Sequence, residues 1–284
     1  MFTPDQYEVL DFGQGRKLER VGPFILDRMS PAAEQHQKSN PALWKQANAQ
    51  YLRTSKQLGV WQPDNGLPKQ WTISHHKITF EIKPTQFGHL GLFPEQAENW
   101  DWIEQMVHQA GRPLKVLNLF AYTGGSTLAA AVAGAELTHV DAAKSVVNWA
   151  RTNAGHSGLS EAPIRWITED AVKFVKRELK RGNRYDAVVL DPPTYGHGAG
   201  GQVWRFEENI DSLLTDLAQL TNDRPHFMLL TGHTLGYGPK QMRDLLTKHF
   251  RPIKANQVES RALLLPSSCG RELSSGVMCR WVNH

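Results

Sequence analysis

Residues 191–195 of this 284-residue chain, Asp-Pro-Pro-Thr-Tyr, stand directly after the apolar run Ala187–Leu190. Consecutive prolines restrict the backbone and remove amide donors, so this turn should present Asp191 and nearby carbonyl groups rigidly to a planar amide or amine. The ring of Tyr195 offers a surface on which an extruded base could stack. We interpret Asp191, Pro192 and Tyr195 as catalytic residues. The alternative is a proline-rich loop with an exposed aspartate.

A glycine turn earlier in the chain has the composition of a cofactor-binding loop. The apolar run Val116–Phe120 leads into Ala121–Gly125, Ala-Tyr-Thr-Gly-Gly, and then into an alanine-rich stretch. Glycine lets a backbone approach a ligand closely, and open α/β sheets bind ligands at the carboxyl ends of their strands. A plain strand-to-helix turn is the alternative. Because the Gly-x-Gly-x-x-Gly fingerprint is missing here, a nicotinamide cofactor is disfavoured.

Two further aspartates end apolar segments. Asp141 ends Thr138–Asp141, about 20 residues beyond the first strand, a spacing at which an acid can accept hydrogen bonds from ribose hydroxyls. Asp170 ends a third segment, where it could contact the amino group of an adenine. Each aspartate could instead cap the helix that follows it. The spacing favours ribose binding for Asp141, and both roles stay open for Asp170.

Alternating strands and helices are needed to bring these residues together. From Pro113 onward, apolar runs of strand length alternate with stretches of helical spacing. The predicted strands are Lys115–Phe120, Leu137–Val140, Ile164–Ile167, Ala187–Leu190 and Phe227–Thr231. The predicted helices are Ser126–Ala133, Ala143–Ala154, Ala171–Lys180, Phe206–Thr221 and Lys240–His249. Such alternation indicates a mainly parallel sheet, to which Gln257–Pro266 and Gly276–Val282 add a terminal hairpin. The predicted fold is α/β and Rossmann-like, with seven strands.

The first part of the chain has a different pattern. Tyr7–Phe12, Phe24–Leu26 and Trp71–Ile82 are predicted strands, the last of them folded into a hairpin, and Pro41–Tyr51 is a predicted short helix. We therefore predict a small β-rich domain over residues 1–95, followed by an α/β domain over residues 96–284.

Composition and charge restrict the function only loosely. With 40% hydrophobic and 21% charged residues, a soluble globular protein is expected, and neither a membrane span nor a secretory signal is predicted. We expect reduced thiols at Cys269 and Cys279, a cytoplasmic location and no metal site. The net charge of +4 permits an anionic partner such as RNA. The six basic residues in Lys173–Arg184 are read as a solvated helix face rather than a phosphate-binding stripe.

Together these motifs resemble a known family, the bacterial 23S ribosomal RNA large-subunit methyltransferases of the 5-methylcytosine and 7-methylguanine branch, which use S-adenosylmethionine. The resemblance rests on residues 91–96, Asn118–Gly125, Val140–Ser145 and residues 191–195. It implies that S-adenosylmethionine is the cofactor and RNA the partner, with the N-terminal domain helping to hold RNA. The residues predicted to bind the cofactor are Phe93, Asn118, Phe120, Ala121, Tyr122, Thr123, Gly124, Asp141, Ala142, Asp170 and Asp191.

The chain departs from this family at one position. The cytosine-C5 enzymes attack the base with a cysteine placed after the fifth strand, where this sequence has Thr231–Leu235, Thr-Gly-His-Thr-Leu. Transfer to a nitrogen needs no thiolate because the nitrogen already carries a lone pair, so a base nitrogen of ribosomal RNA is the predicted target. His233 could contact substrate or be structural, and the glycine-rich residues 196–201 could form a lid or a solvated loop. Methylation of a protein or small molecule, or a non-catalytic binding module, are the alternatives.

Overall fold

The protein is described by a computed structural model that covers residues 1–55, 58–63, 65–197, 201, 203–222 and 224–283. The chain divides into two compact units, Met1–Ala97 with Leu264–Ser275 and Glu98–Leu263 with Gly276–His284. The structure thus groups residues 264–275 with the N-terminal residues, whereas the sequence placed them in the C-terminal domain. The domain limit at residue 95 stays a prediction.

The first unit contains the β-rich region predicted from the sequence. Its strands are β1 (Tyr7–Gly13), β2 (Arg16–Val21), β3 (Phe24–Met29), β4 (Ala49–Arg53), β5 (Gly59–Gln62), β6 (Trp71–His75) and β7 (Ile78–Ile82). The first five form one sheet in chain order, in which only β3 and β4 are parallel, and β6 and β7 form a separate hairpin. β2 holds the buried carboxylate of Glu19, which pairs with Arg28 and Lys17.

The predicted helix over Pro41–Tyr51 is wrong. A single 3₁₀ turn covers Leu43–Gln46, and the chain then enters β4. Ala49 and Tyr51 are buried on the same side of that strand, and the Trp44 indole donates a 2.9 Å hydrogen bond to Asp11. Burial of these side chains outweighs the helical propensity of the sequence, because propensity is a weak preference that tertiary contacts override.

The second unit has the predicted α/β architecture. Its elements are α1 (Ala97–Gln109), β8 (Lys115–Leu119), α2 (Gly125–Val132), β9 (Glu136–Asp141), α3 (Lys144–His156), β10 (Ile164–Thr168), α4 (Ala171–Lys180), β11 (Ala187–Leu190), β12 (Tyr195–His197), β13 (Val203–Arg205), α5 (Phe206–Leu220), β14 (Phe227–Gly232), α6 (Pro239–His249), β15 (Glu259–Pro266) and β16 (Glu272–Val282). The seven-stranded sheet has the order β10-β9-β8-β11-β14-β16-β15. The first five strands are parallel and β16 is antiparallel to β14, which confirms the Rossmann-like fold.

Strand register aligns the chemistry-bearing ends of the central strands. Leu119 at the end of β8 lies opposite Val140 of β9 on one side and Leu190 of β11 on the other. From β8 the chain continues to β9 and β10 on one side of the sheet, and it then returns to β11 and β14 on the other side. The strand order therefore reverses between β8 and β11. Ligands of open α/β sheets bind outside the carboxyl ends at such a reversal. All four residues of β11 are buried, as expected for a central parallel strand.

In the described part of the chain, no helix has both the length and the apolarity required to cross a membrane.

Candidate active site

The loop after β8 has an unusual backbone. Phe120, Tyr122 and Gly124 have φ angles of 54°, 49° and 94°, so three alternate residues are left-handed. Only glycine adopts this region without cost, and strained backbone of this kind is concentrated at functional sites. The predicted strand over Lys115–Phe120 therefore ends one residue earlier, because Phe120 already begins the loop.

Asp141 holds this loop in place. Its carboxylate accepts hydrogen bonds from the N–H groups of Tyr122 at 3.0 Å and Ala143 at 2.9 Å, one on each oxygen. Each oxygen keeps a second lone pair, which is the acceptor that a ribose hydroxyl requires. Burial raises the pKa of Asp141 above its usual 3.8, although the two N–H groups oppose the shift. Ala142, the next residue, is half-buried.

Both glycines of the loop are required by close packing. A Cβ atom at Gly125 would lie 2.5 Å from Cζ2 of Trp100, and the left-handed φ of Gly124 suits glycine alone. α2 begins here, and its cap residue Gly124 has no side chain with which to satisfy the first N–H groups of the helix. Such N–H groups and the helix dipole bind anions, so the carboxylate of an amino-acid tail fits this position.

A buried polar network lies beneath the loop. Asn118 donates a 2.9 Å hydrogen bond to Thr127, whose hydroxyl lies 2.9 Å from Nδ1 of His139. Burial lowers the pKa of His139 to about 3, so the imidazole is neutral. Asn153 of α3 donates a 2.9 Å hydrogen bond to the carbonyl of Thr123. The sequence identified Asn118 but missed Thr127, His139 and Asn153, because they meet only once β8, β9, α2 and α3 have packed together.

Asp170 caps α4. Its carboxylate accepts a 2.9 Å hydrogen bond from the N–H of Lys173, which is one of the two roles left open by the sequence. The preceding residue ties β10 to β9, since the N–H of Glu169 donates to the carbonyl of Asp141. The remaining acceptor capacity of Asp170 faces a cleft of about 580 Å³ that Val172 and Trp204 also line. The cap therefore does not exclude contact with an adenine.

The Asp-Pro-Pro-Thr-Tyr turn follows β11 at the same edge of the sheet. Asp191 is half-buried, Pro192 is buried and the Tyr195 side chain is exposed. The Thr194 hydroxyl lies 3.0 Å from that of Thr234, in the loop after β14. The turn is thus fixed to the neighbouring strand end while its tyrosine faces solvent.

A short hairpin that the sequence did not predict supports this turn. Tyr195–His197 and Val203–Arg205 pair as β12 and β13, with Gly196 opposite Trp204. The Trp204 indole donates a 2.6 Å hydrogen bond to the Pro193 carbonyl, and its ring centroid lies 4.8 Å from that of Phe120. Trp204 therefore contacts both the loop after β8 and the Asp-Pro-Pro-Thr-Tyr turn. Residues 198–200 of the predicted lid lie outside the described residues.

His233 occupies the place of the catalytic cysteine of the C5 enzymes. It is exposed, directly after β14, and it packs against Gly276, where a Cβ atom would lie 2.7 Å from the imidazole Cε1. Cys279 of β16 lies opposite Leu230, and burial raises the pKa of its thiol to about 12. A buried thiol with so high a pKa is a poor nucleophile, so Cys279 does not fit the role of the attacking cysteine. That no cysteine attacks the base stays a prediction.

Phe93 belongs to the first unit, where its ring centroid lies 6.0 Å from that of His89. Its role in the cofactor site stays a prediction.

Comparison with known proteins identifies the family. The sequence model of the S-adenosylmethionine-dependent methyltransferases matches residues 47–222, which is more than half of the chain. The chain belongs to this family. A crystal structure of the SAM-dependent methyltransferase from Agrobacterium tumefaciens is 35% identical, covers 98% of this chain and 90% of its own, and superimposes with a TM-score of 0.88. The structure of SMU.776 in complex with SAH is 17% identical and covers 99% of this chain and 76% of its own. Its TM-score of 0.75 shows a shared fold.

Two curated relatives match about half of this chain. Ribosomal RNA large subunit methyltransferase K/L of Colwellia psychrerythraea is 30% identical over 158 residues, or 53% of this chain and 20% of the relative. Ribosomal RNA large subunit methyltransferase I of Aeromonas salmonicida is 34% identical over 121 residues, or 42% of this chain and 29% of the relative. The chain thus spans less than a third of the length of these relatives. Membership of the family confirms the predicted cofactor, S-adenosylmethionine.

The residues present fit this cofactor. Asp141 supplies acceptors for ribose hydroxyls, the start of α2 offers N–H groups to a carboxylate, and the loop between them brings its backbone close to any ligand above β8. The ribose hydroxyls and the carboxylate of S-adenosylmethionine therefore have polar groups suited to them along this edge of the sheet.

Proposed function

We propose that the protein transfers a methyl group from S-adenosylmethionine to a ring or amino nitrogen of a base in ribosomal RNA. The observation that carries this proposal is the rigid Asp-Pro-Pro-Thr-Tyr turn, attached through Trp204 to the loop after β8. It is supported by the ribosomal RNA large subunit methyltransferases among the relatives.

The proposed cofactor contacts follow the strand ends. Asp141 binds the ribose, Asp170 and Ala142 contact the adenine, and the loop from Phe120 to Gly124 receives the amino-acid tail at the start of α2. Asn118 supports the loop from beneath through Thr127. Phe93 and Asp191 complete the set that we propose for cofactor binding.

The catalytic turn orients the acceptor nitrogen. When bound, the cofactor supplies an electrophilic methyl group on a sulfonium. Asp191 and the carbonyl of Pro192 accept hydrogen bonds from N–H groups of the target base, and Tyr195 stacks on its ring. The nitrogen lone pair would take up the methyl group, the electron pair of the C–S bond would stay on sulfur, and the displaced N–H proton would pass to Asp191 or water. Correct orientation supplies most of the acceleration, because the nucleophile needs no activation.

The other parts of the chain have supporting roles in this proposal. We propose a cytoplasmic enzyme in which residues 1–95 form an accessory domain that helps to hold RNA and residues 96–284 form the methyltransferase domain. The relatives act on ribosomal RNA according to their names, which supports this arrangement.

The experiment is methyl transfer from tritiated S-adenosylmethionine to total RNA from cells that lack the gene. Wild type should label RNA, and Asp191→Ala should lower the rate by about 100-fold, since a misplaced acceptor costs about that factor. Cofactor affinity, measured by calorimetry, should change less than the rate. Cys269→Ser is the matched control and should transfer at the wild-type rate. Label confined to protein or to small molecules, or no label at all, contradicts the proposal.

A further inference from the structure

The exposed face of α4 carries three regularly spaced lysines. Lys173, Lys176 and Lys180 are all exposed, and their i, i+3, i+7 spacing places them on one side of the helix, while Phe174 and Val175 are buried on the other. At 1.5 Å per residue the three ammonium groups extend over about 10 Å. They therefore form a line of positive charge.

This line of charge borders a cleft that leads to the catalytic turn. The three lysines line the cleft of about 580 Å³ together with Val203, Trp204 and Asn209. Trp204 is also the residue whose indole donates to the Pro193 carbonyl. One end of the cleft thus lies beside the turn that we propose to hold the target base.

In the described residues, the acids near these lysines form no ion pair with them. Glu169 is paired with Arg177 at 2.5 Å, and Asp170 caps the helix through a backbone N–H. The charge of Lys176 favours the ionised form of Asp216, but burial outweighs it and raises the pKa of that aspartate above its usual value. Within the described ranges of the chain, none of the three lysines forms an ion pair, so their charge is available to an anion.

We propose that the lysine-lined part of this cleft, along α4 from Lys173 to Lys180, binds the phosphate backbone of the RNA strand whose base enters the catalytic turn, while Asp170 at the start of the helix faces the adenine. The inference rests on the proposed function and names the surface that holds its substrate. Lysines bind phosphates as point charges without regard to base sequence, whereas Tyr195 of the catalytic turn contacts the base itself. In this proposal Lys173, Lys176 and Lys180 act as a phosphate-binding stripe, which is the alternative to the solvated helix face predicted from the sequence.

The test compares two triple variants on a 23S ribosomal RNA transcript made in vitro. Lys173→Gln, Lys176→Gln and Lys180→Gln together should weaken RNA binding at low salt by about 10- to 100-fold. The slope of log affinity against log salt should become shallower by about 2, since each phosphate contact to single-stranded RNA contributes about 0.7. The matched control replaces Lys240, Arg251 and Lys254, exposed cations on and just after α6, with glutamine and should bind as wild type.

Further measurements separate binding from folding and from the proposed function. Calorimetry should give the α4 variant the wild-type affinity for S-adenosylmethionine, and replacement of the same three lysines by arginine should restore RNA binding. If wild type methylates the transcript while the α4 variant keeps its affinity and salt slope, the cleft proposal is wrong and the proposed function stands. If wild type neither binds nor methylates RNA and labels protein instead, the proposed function fails, and this inference fails with it.

Discussion

The indole N–H of Trp204 donates a 2.6 Å hydrogen bond to the carbonyl oxygen of Pro193. The same indole packs at 4.8 Å, centroid to centroid, on the ring of Phe120, the first left-handed residue of the cofactor loop. One buried side chain thus joins the loop after β8 to the turn after β11. The distance between cofactor and acceptor should therefore depend on this side chain.

Exchange of this indole for a phenyl ring tests the connection. Trp204→Phe keeps an aromatic ring near Phe120 but leaves the Pro193 carbonyl without its donor, which should cost about 1–3 kcal/mol of the free energy of unfolding. We expect kcat to fall by about tenfold or more while cofactor affinity changes little, because misplacement affects the transition state most. Denaturant unfolding and steady-state kinetics measure these effects. Trp102→Phe, on α1, is the control, and an unchanged kcat in Trp204→Phe would contradict the positioning role.

The proposed ribose contact predicts a pH effect on cofactor binding. Burial raises the pKa of Asp141, so its carboxylate becomes protonated at a higher pH than an ordinary aspartate. Protonation removes the negative charge that accepts hydroxyl hydrogen bonds, so affinity for S-adenosylmethionine should fall as pH decreases through a pKa above 3.8. Calorimetric titrations over a pH series measure this step. Asp141→Asn should bind more weakly at neutral pH, by about tenfold, and should lack the step. An identical pH profile in both proteins counts against the ribose contact.

The buried carboxylate of β2 predicts the acid stability of the first unit. Burial alone would raise the pKa of Glu19, but the charges of Arg28 and Lys17 outweigh it and lower that pKa to about 2. A lowered carboxylate pKa contributes stability that is complete above the unfolded-state value, near 4.5, and is lost as pH falls toward 2. Glu19→Gln should lower the free energy of unfolding by about 3 kcal/mol at pH 7, since it leaves buried cations unpaired. In this variant the free energy of unfolding should also decrease less steeply below pH 4.5 than it does in wild type. Thermal unfolding of wild type and Glu19→Gln at several pH values measures both effects. Equal stability of the two proteins at pH 7 would contradict the role of the ion pairs.

Replacement of Tyr195, the exposed tyrosine of the catalytic turn, should affect only the reaction with RNA. Tyr195 has 52% of its surface exposed, so Tyr195→Ala should leave stability and cofactor affinity nearly unchanged. Loss of stacking on a base should lower kcat/KM for RNA by about 5- to 150-fold, equivalent to about 1–3 kcal/mol. Tyr195→Phe keeps the ring and is the matched control. Equal loss in both variants would indicate that the hydroxyl rather than the ring is needed.

Much of the second unit could be predicted because its signals are local. β11 and α4 begin and end at the predicted residues. A short buried parallel strand is a continuous apolar run, and the start of an amphipathic helix is marked by its aspartate cap. Asp141 was placed correctly at the end of its strand for the same reason. These features depend on residues close together in the sequence.

The missing parts depend on contacts between distant residues. β12 and β13 are three residues each, in a glycine-rich stretch that has no strand pattern, and they are held by the Trp204 contact with Pro193. The left-handed backbone of Phe120 and Tyr122 could not be predicted either, because neither is a residue type that favours it and the carboxylate that stabilises Tyr122 lies on β9. Tertiary contacts decide such conformations, and they leave no trace in the local sequence.

The most direct measurement is nucleoside mass spectrometry of the 23S transcript after incubation with the protein and S-adenosylmethionine. The account predicts one methylated nucleoside whose fragment ions place the methyl group on a nitrogen of the base, formed about 100-fold more slowly with Asp191→Ala and at the wild-type rate with Cys269→Ser. A methyl group on C5 of cytosine or on a ribose oxygen would contradict transfer to a base nitrogen. A transcript with no added methyl group, from protein that binds S-adenosylmethionine, would contradict RNA as the substrate.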